Sequence, residues 1–216
     1  MPRIGLFGGT FDPVHLAHLR TAEETREALA LDRIEFVLAA VPPHKAPGAH
    51  ASVPHRQKML ELAIAGNPRF ALNLSEIERD GPSYSIDTIR AVQQREPNAA
   101  LTFILGADAF AAIATWKDYE SLFTRCDFCV ISRPGASTGE LPIAVENAFC
   151  YEPDRGVYVH RSGSLLRFLP VTALMISASD IRQRCATGRS IRYLVPSAVA
   201  DYLAARGLYP GRTAAR

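Results

Sequence analysis

Two histidines three residues apart, His15 and His18, follow a glycine pair and a Phe-Asp-Pro corner in residues 5–19, GLFGGTFDPVHLAHL. Residues at that spacing share a helix face, so both imidazoles can converge on one point where a helix begins. A helix start also offers unpaired backbone N–H groups and the positive end of its dipole, together a seat for an anion. Gly8 and Gly9 let the backbone turn tightly and approach a ligand with no Cβ in the way. Pro13 fixes its own φ and biases Asp12 away from the α region. Strand, glycine turn and paired histidines describe a nucleotide-phosphate site; the structural alternative is a strand–helix corner with two surface histidines. A second candidate lies at residues 176–182, ISASDIR. There Ser177 and Ser179 are N-cap candidates and Arg182 falls in the first turn of the helix that follows. Hydroxyls, helix N–H groups and a guanidinium at one place again suit phosphate, less specifically than the first stretch.

These groups need elements to hold them. The apolar run Ile4, Leu6, Phe7 predicts a first buried strand, and the Ala, Leu, Glu and Arg of residues 17–31 predict a helix. IEFVLAAV within residues 33–41 is a buried-strand pattern and completes a β–α–β unit. Pro42, Pro43, His44 and Lys45 then open a loop at that strand's C-terminal end, where ligands sit in open α/β sheets. A helix is expected over 54–66, a strand over 70–77, and a turn at 79–82. The next helix spans 86–95, with Ser85 as its N-cap. LTFILG at 101–106 is a strand ending at Gly106, with Asp108 at the next helix start. Trp116 sits in a polar loop after a short alanine-rich helix. A fifth strand over 127–132 leads into Arg133, Pro134 and Gly135. Residues 136–167 are expected to be loops with one short helix and a strand at 157–159, followed by a last strand at 169–174. Helices over 177–187 and 196–206 close the chain, with Gly188 and Gly207 as their stops, and residues 211–216 read as a frayed tail. Alternation of strand and helix over the first 135 or so residues predicts an α/β fold. Its core is a doubly wound parallel sheet in one domain, 1–210, with a small C-terminal helical part at about 177–210.

Composition bounds the function. The 216 residues are 48% hydrophobic and 21% charged, as in an ordinary globular protein, and the net charge of +2 gives no reason to expect nucleic acid. No apolar run approaches the ~20 residues of a membrane span. The first residues lack the basic and apolar regions of a secretion signal, so the expected compartment is the cytoplasm, with reduced thiols. Cys126 and Cys129 form a C-x-x-C inside a predicted strand. Residues three apart on a strand point to opposite faces, so core packing is expected rather than zinc or redox chemistry.

GTFDPVHLAH resembles the G-x-F-D-P-x-H-x-G-H signature of the HxGH nucleotidyltransferase superfamily, with Ala17 at the usual glycine. ISASDIR resembles that superfamily's second signature, ISSTxxR, with Ser179 at the usual threonine. PPHK at 42–45, PSYS at 82–85, GAD at 106–108, TW at 115–116 and RPG at 133–135 together resemble the bacterial nicotinate mononucleotide adenylyltransferases. That resemblance implies a Rossmann-like nucleotidyltransferase fold and transfer of AMP from ATP to nicotinate mononucleotide, giving deamido-NAD and pyrophosphate in NAD biosynthesis. It implies catalytic roles for His15, His18 and Arg182. An ATP site would be formed by Gly8, Gly9, Thr10, Phe11, His15, His18, Gly106, Asp108, Ser177, Ser179, Ile181 and Arg182. A mononucleotide site would use His44, Lys45, Tyr84, Ser85, Trp116, Lys117 and Arg133. Mg²⁺ is expected on the triphosphate, held by phosphates and water with no dedicated protein ligands. The implied partners are the two small-molecule substrates, without nucleic acid or membrane, and a homo-oligomer is compatible with the sequence. The alternatives are another member of the superfamily, such as a pantetheine-phosphate adenylyltransferase or a cytidylyltransferase, or a nucleotide-sensing module without turnover.

Overall fold

The computed structural model describes residues 1–40, 51–79, 81–132 and 141–211. Among these residues eight strands form one sheet in the order β3-β2-β1-β4-β5-β8-β7-β6. Strands β1 (Arg3–Gly9), β2 (Arg33–Leu38), β3 (Phe70–Asn73), β4 (Ala100–Gly106) and β5 (Asp127–Ser132) are parallel, and β8 (Leu165–Pro170) continues that direction beside β5. Strands β6 (Phe149–Glu152) and β7 (Val157–His160) complete the sheet antiparallel. A doubly wound, mostly parallel sheet is what the alternation of elements predicted.

Helices cover both faces because the buried strands are apolar on both sides. On one face α1 (Leu16–Ala28), α2 (Val53–Ile64), α7 (Ala178–Ala186) and α8 (Ser197–Ala205) pack around Ile34, Phe36, Leu38 and Ile104. On the other, α3 (Ser85–Arg95), α4 (Ala107–Ala111), α5 (Tyr119–Leu122) and α6 (Ile143–Glu146) cover Ile4, Leu6, Phe103, Phe128 and Val130. Cys126 belongs to the second cluster and Cys129 to the first, so the two thiols do lie on opposite faces. Burial pushes the Cys129 thiol up to about 12. No helix among the described residues is long and apolar enough to cross a membrane.

Four expected elements differ, the first being the strand expected over 70–77, which ends at Asn73. Ser85 is the first residue of α3, and its N-cap is Tyr84, which makes no side-chain cap bond. The strand expected at 169–174 runs four residues earlier, where β8 pairs with both β5 and β7. Residues 136–167 contain, besides the expected short helix and β7, a strand that was not expected, β6. It is a half-exposed edge strand of the pattern Phe-Cys-Tyr-Glu, without an apolar run to mark it.

Candidate active site

Gly8 and Gly9 both lie within β1, and neither has positive φ, so the expected glycine turn is not what these residues make. The left-handed residue of the corner is Phe11, at φ 48°. Its ring lies over Gly9, where a Cβ would sit 2.7 to 3.0 Å from three ring atoms. The missing side chain at Gly9 thus makes room for Phe11. Phe11 itself is buried, and its ring meets the His18 imidazole edge-on with centroids 5.1 Å apart.

His15 is the N-cap residue of α1, with extended backbone, and is 5% exposed. Its backbone N–H donates to Nδ1 of His18 at 3.2 Å, and the two rings stack with centroids 3.6 Å apart and planes 19° from parallel. A nitrogen that accepts is unprotonated, so the proton of the neutral His18 ring sits on Nε2, as a donor. The spacing of three therefore brings the imidazoles together as the sequence suggested. His15 Nδ1 is buried and meets no hydrogen-bond partner among the described residues. Burial pulls the His15 imidazole down from 6.5 to about 4, which keeps it neutral near pH 7. An anion placed beside it would pull the other way.

Both histidines line a cavity of about 490 Å³, together with Ala17 between them in sequence, Gly106 and Asp108 at the β4–α4 junction, and Ser177. One wall is the segment 171–176, tied to α1 by the Thr172 N–H, which donates to Glu24 at 2.7 Å. Ser177 is the N-cap of α7, as expected. Its Oγ accepts from the Asp180 N–H at 3.2 Å and lies 3.0 Å from the Ser179 Oγ. Arg182, further along α7, reaches back to the β1–α1 loop, where Nη1 donates to the Asp12 carbonyl at 2.7 Å. The two phosphate-type motifs, 170 residues apart in sequence, are thus joined directly at Asp12.

A second cavity, of about 420 Å³, is lined by Gly8, Gly9, Thr10, Tyr84, Ser85, Trp116 and Lys117, among others. Phe7 and Gly106 line both cavities, so the two meet over the C-terminal ends of the neighbouring strands β1 and β4. Strand order reverses its direction of winding there, which in open α/β sheets is where ligands bind. Trp116 is half-buried and edge-on to Phe103, with centroids 6.1 Å apart. The Lys117 ammonium stands 4.6 Å over the Tyr84 ring and 3.2 Å from Asp87. The N-terminus of α3, at Tyr84 and Ser85, forms part of this wall.

Some expected site residues fall elsewhere. Phe11 and Ile181 are buried packing residues and line neither cavity; of the polar groups of the second motif only Ser177 lines the histidine cavity, and Ser179 and Arg182 line neither. Gly8, Gly9 and Thr10, expected beside ATP, line the cavity that holds Trp116 instead of the one holding the histidines. His44, Lys45 and Arg133 lie outside the described residues. The structure also adds residues that the sequence did not single out. Glu76 is a buried carboxylate on the Trp116 cavity, accepting from the Thr88 hydroxyl at 2.7 Å. Arg56, 1% exposed, donates from Nη1 to the carbonyls of Thr10 at 2.9 Å and Ala39 at 2.8 Å, holding the ends of β1 and β2 together. Burial pulls its pKa down against the opposing charge of Asp12. Neither residue carries a local signal, since each sits among polar neighbours in sequence and gains its role only from distant partners.

Residues 6–184 match the model of the cytidylyltransferase-like family. The probable nicotinate-nucleotide adenylyltransferase of Geobacter sulfurreducens is 45% identical over 211 residues, which cover 96% of this chain and 98% of that protein. The protein of the same name from Syntrophotalea carbinolica is 43% identical, covering 96% and 97%. Among solved structures, Plasmodium falciparum nicotinic acid mononucleotide adenylyltransferase complexed with NaAD aligns over 97% of this chain and 98% of that one. The TM-score is 0.70 at 18% identity, a likeness of fold. With a family model matched over most of its length and relatives above 40% identity almost end to end, the chain belongs to the cytidylyltransferase-like family, among its nicotinate-nucleotide adenylyltransferases.

Proposed function

We propose that the chain transfers the adenylyl group of ATP to nicotinate mononucleotide, releasing pyrophosphate and forming deamido-NAD. The observation that carries this is the meeting of two nucleotide-sized cavities at Phe7 and Gly106, with His15 and His18 lining one of them. ATP takes the histidine cavity. His15 and His18 face its α- and β-phosphates, Ser177, Ser179 and Arg182 hold the β- and γ-phosphates, and Gly106 and Asp108 receive the adenosine ribose. The mononucleotide takes the other cavity, with its pyridine ring against Trp116 and its carboxylate toward the N-terminus of α3 at Tyr84 and Ser85. Lys117 supplies positive charge there. Gly8, Gly9 and Thr10 form the bare strand end over which the two nucleotides meet.

The chemistry needs alignment and charge stabilisation more than a base. A phosphate monoester is largely dianionic at pH 7, so its oxygen attacks the α-phosphorus without first losing a proton. The α–β phosphoanhydride bond breaks and its electron pair leaves on pyrophosphate. The Nε2–H of His18 is then a hydrogen-bond donor to the charge that grows on the phosphates. No group of three or more His, Cys, Asp or Glu among the described residues is placed to hold a metal. Mg²⁺ enters with the substrate, bound to ATP through phosphates and water.

Pyrophosphate release tests this, measured with ATP and, in turn, nicotinate mononucleotide, nicotinamide mononucleotide and phosphopantetheine. Turnover should be fastest with the first, and indifference to it would reject the assignment. The acid should beat the amide because a carboxamide offers one acceptor oxygen where the carboxylate offers two, so that an NH2 group faces a donor at the α3 N-terminus.

A further inference from the structure

Three parts of the chain far apart in sequence converge on Asp12, which is 5% exposed. Its Oδ1 accepts from the Tyr209 hydroxyl at 2.6 Å and from the Ala51 N–H at 3.2 Å, while its carbonyl accepts from Arg182 at 2.7 Å. Tyr209 belongs to the short segment after α8. It stands at φ 59°, a conformation a bulky residue keeps only where its surroundings hold it. They do hold it. The Leu208 N–H donates to the Leu203 carbonyl, and Gly211 lies so close to the carbonyl of Ala186, the last residue of α7, that no Cβ would fit. The C-terminal segment therefore lies against the end of α7, the helix that carries Arg182, and reaches across to the loop that carries His15.

We propose that Tyr209 is a positioning residue for adenylyl transfer. Its hydroxyl holds the Asp12 carboxylate, and Asp12 in turn fixes the Arg182 guanidinium through its carbonyl and the approach to His15 through its backbone. The C-terminal segment thus sets the distance between the two ends of the triphosphate site. Burial and the neighbouring Asp12 charge push the Tyr209 hydroxyl up, so it stays a proton donor at every working pH. This inference rests on the proposed function for the identity of the ligand, and on the Asp12 geometry for everything else.

Tyr209→Phe keeps the ring in the core and removes only the hydroxyl. In full-length protein, kcat/KM for ATP should fall about tenfold, with KM for nicotinate mononucleotide within about twofold of wild type. In an Arg182→Lys background the same change should cost less than about twofold, because the guanidinium that Asp12 holds is already gone. The urea midpoint should move equally in both backgrounds. A KM for nicotinate mononucleotide that rises as far as kcat/KM for ATP falls, or the full tenfold loss repeated in the Arg182→Lys background, would overturn the proposal and leave the hydroxyl a role in stability alone. A wild type that releases no pyrophosphate from this substrate pair would count against the proposed function only. The wild type and the three variants compared for ATP affinity by calorimetry would then decide the inference.

Discussion

His15 makes a prediction that needs no substrate. Its imidazole is buried against His18 and meets no partner at Nδ1 among the described residues, and burial lowers it from 6.5 to about 4. A histidine whose folded value lies below its unfolded one makes the unfolded state bind more protons in the pH range between them. Its full contribution to stability is therefore present above pH 6.5, and is lost as pH falls through about 4. At about 1.4 kcal/mol per pH unit, the loss across that window is about 3 kcal/mol, a large share of the ~5–15 kcal/mol that holds a typical domain folded. His15→Asn is the matching perturbation. Asparagine is neutral across the range, is a favoured N-cap, and so preserves the start of α1. Urea unfolding of both proteins should be followed from pH 8 to pH 4 without nucleotide. Other groups also titrate in acid: His160 is lowered by burial, and Glu23 is lowered chiefly by its hydrogen bond from Arg26. Both are present in wild type and variant, so the difference between the two curves isolates His15. That difference should be flat above pH 7 and shift by about 3 kcal/mol in favour of the variant by pH 4. A difference that stays flat throughout would show that His15 is hydrated or charged in the folded protein, and the picture of a neutral imidazole waiting for phosphate would fall with it.

Two further outcomes follow from other parts of the structure. His18→Ala should lower kcat by about 10²–10³-fold while ATP binding weakens far less, because its Nε2–H meets charge that grows only in the transition state; equal losses in titration calorimetry and turnover would remove that role. Glu35→Ala should cost about 1–3 kcal/mol in urea unfolding. Burial pushes that carboxyl up, but hydrogen bonds from Arg95, Arg33 and Asn73 more than offset it and hold it below its ordinary value. Removing it leaves the buried Asn73 amide without its acceptor, while Arg33 and Arg95 keep Glu96; no measurable cost would mean the cluster is solvated.

Which parts of this molecule are legible in its sequence depends on how far each residue must reach for its partners. The strand at 127–132 was read to the residue, because it is short, apolar and bounded by turns, and strand parity alone separated Cys126 from Cys129. His15 and His18 were legible for the same reason: a spacing of three is a statement about one helix turn. Glu35 shows where such local rules stop. It is the one charged residue in IEFVLAAV, an otherwise apolar run. Its burial is made tolerable by Arg95 and Asn73, 60 and 38 residues away. The β6 strand fails differently, since an edge strand with one solvated face has no continuous apolar pattern.

The site divides along the same line. The groups expected to touch phosphate announce themselves because their chemistry is local: a helix start, a hydroxyl, a guanidinium one turn away. The groups that set the geometry do not. Arg56 reads as one more charge on a surface helix, and Tyr209 as a residue at the close of the domain. Yet Arg56 holds the ends of β1 and β2, and Tyr209 holds the Asp12 on which Arg182 also rests. A change at either position leaves both phosphate motifs, GTFDPVHLAH and ISASDIR, intact. On this structure it would still move His15 and Arg182 relative to each other. Phosphoryl transfer that depends on alignment is sensitive to shifts of about 1 Å. The residues hardest to find by reading are therefore among those on which the rate should most depend.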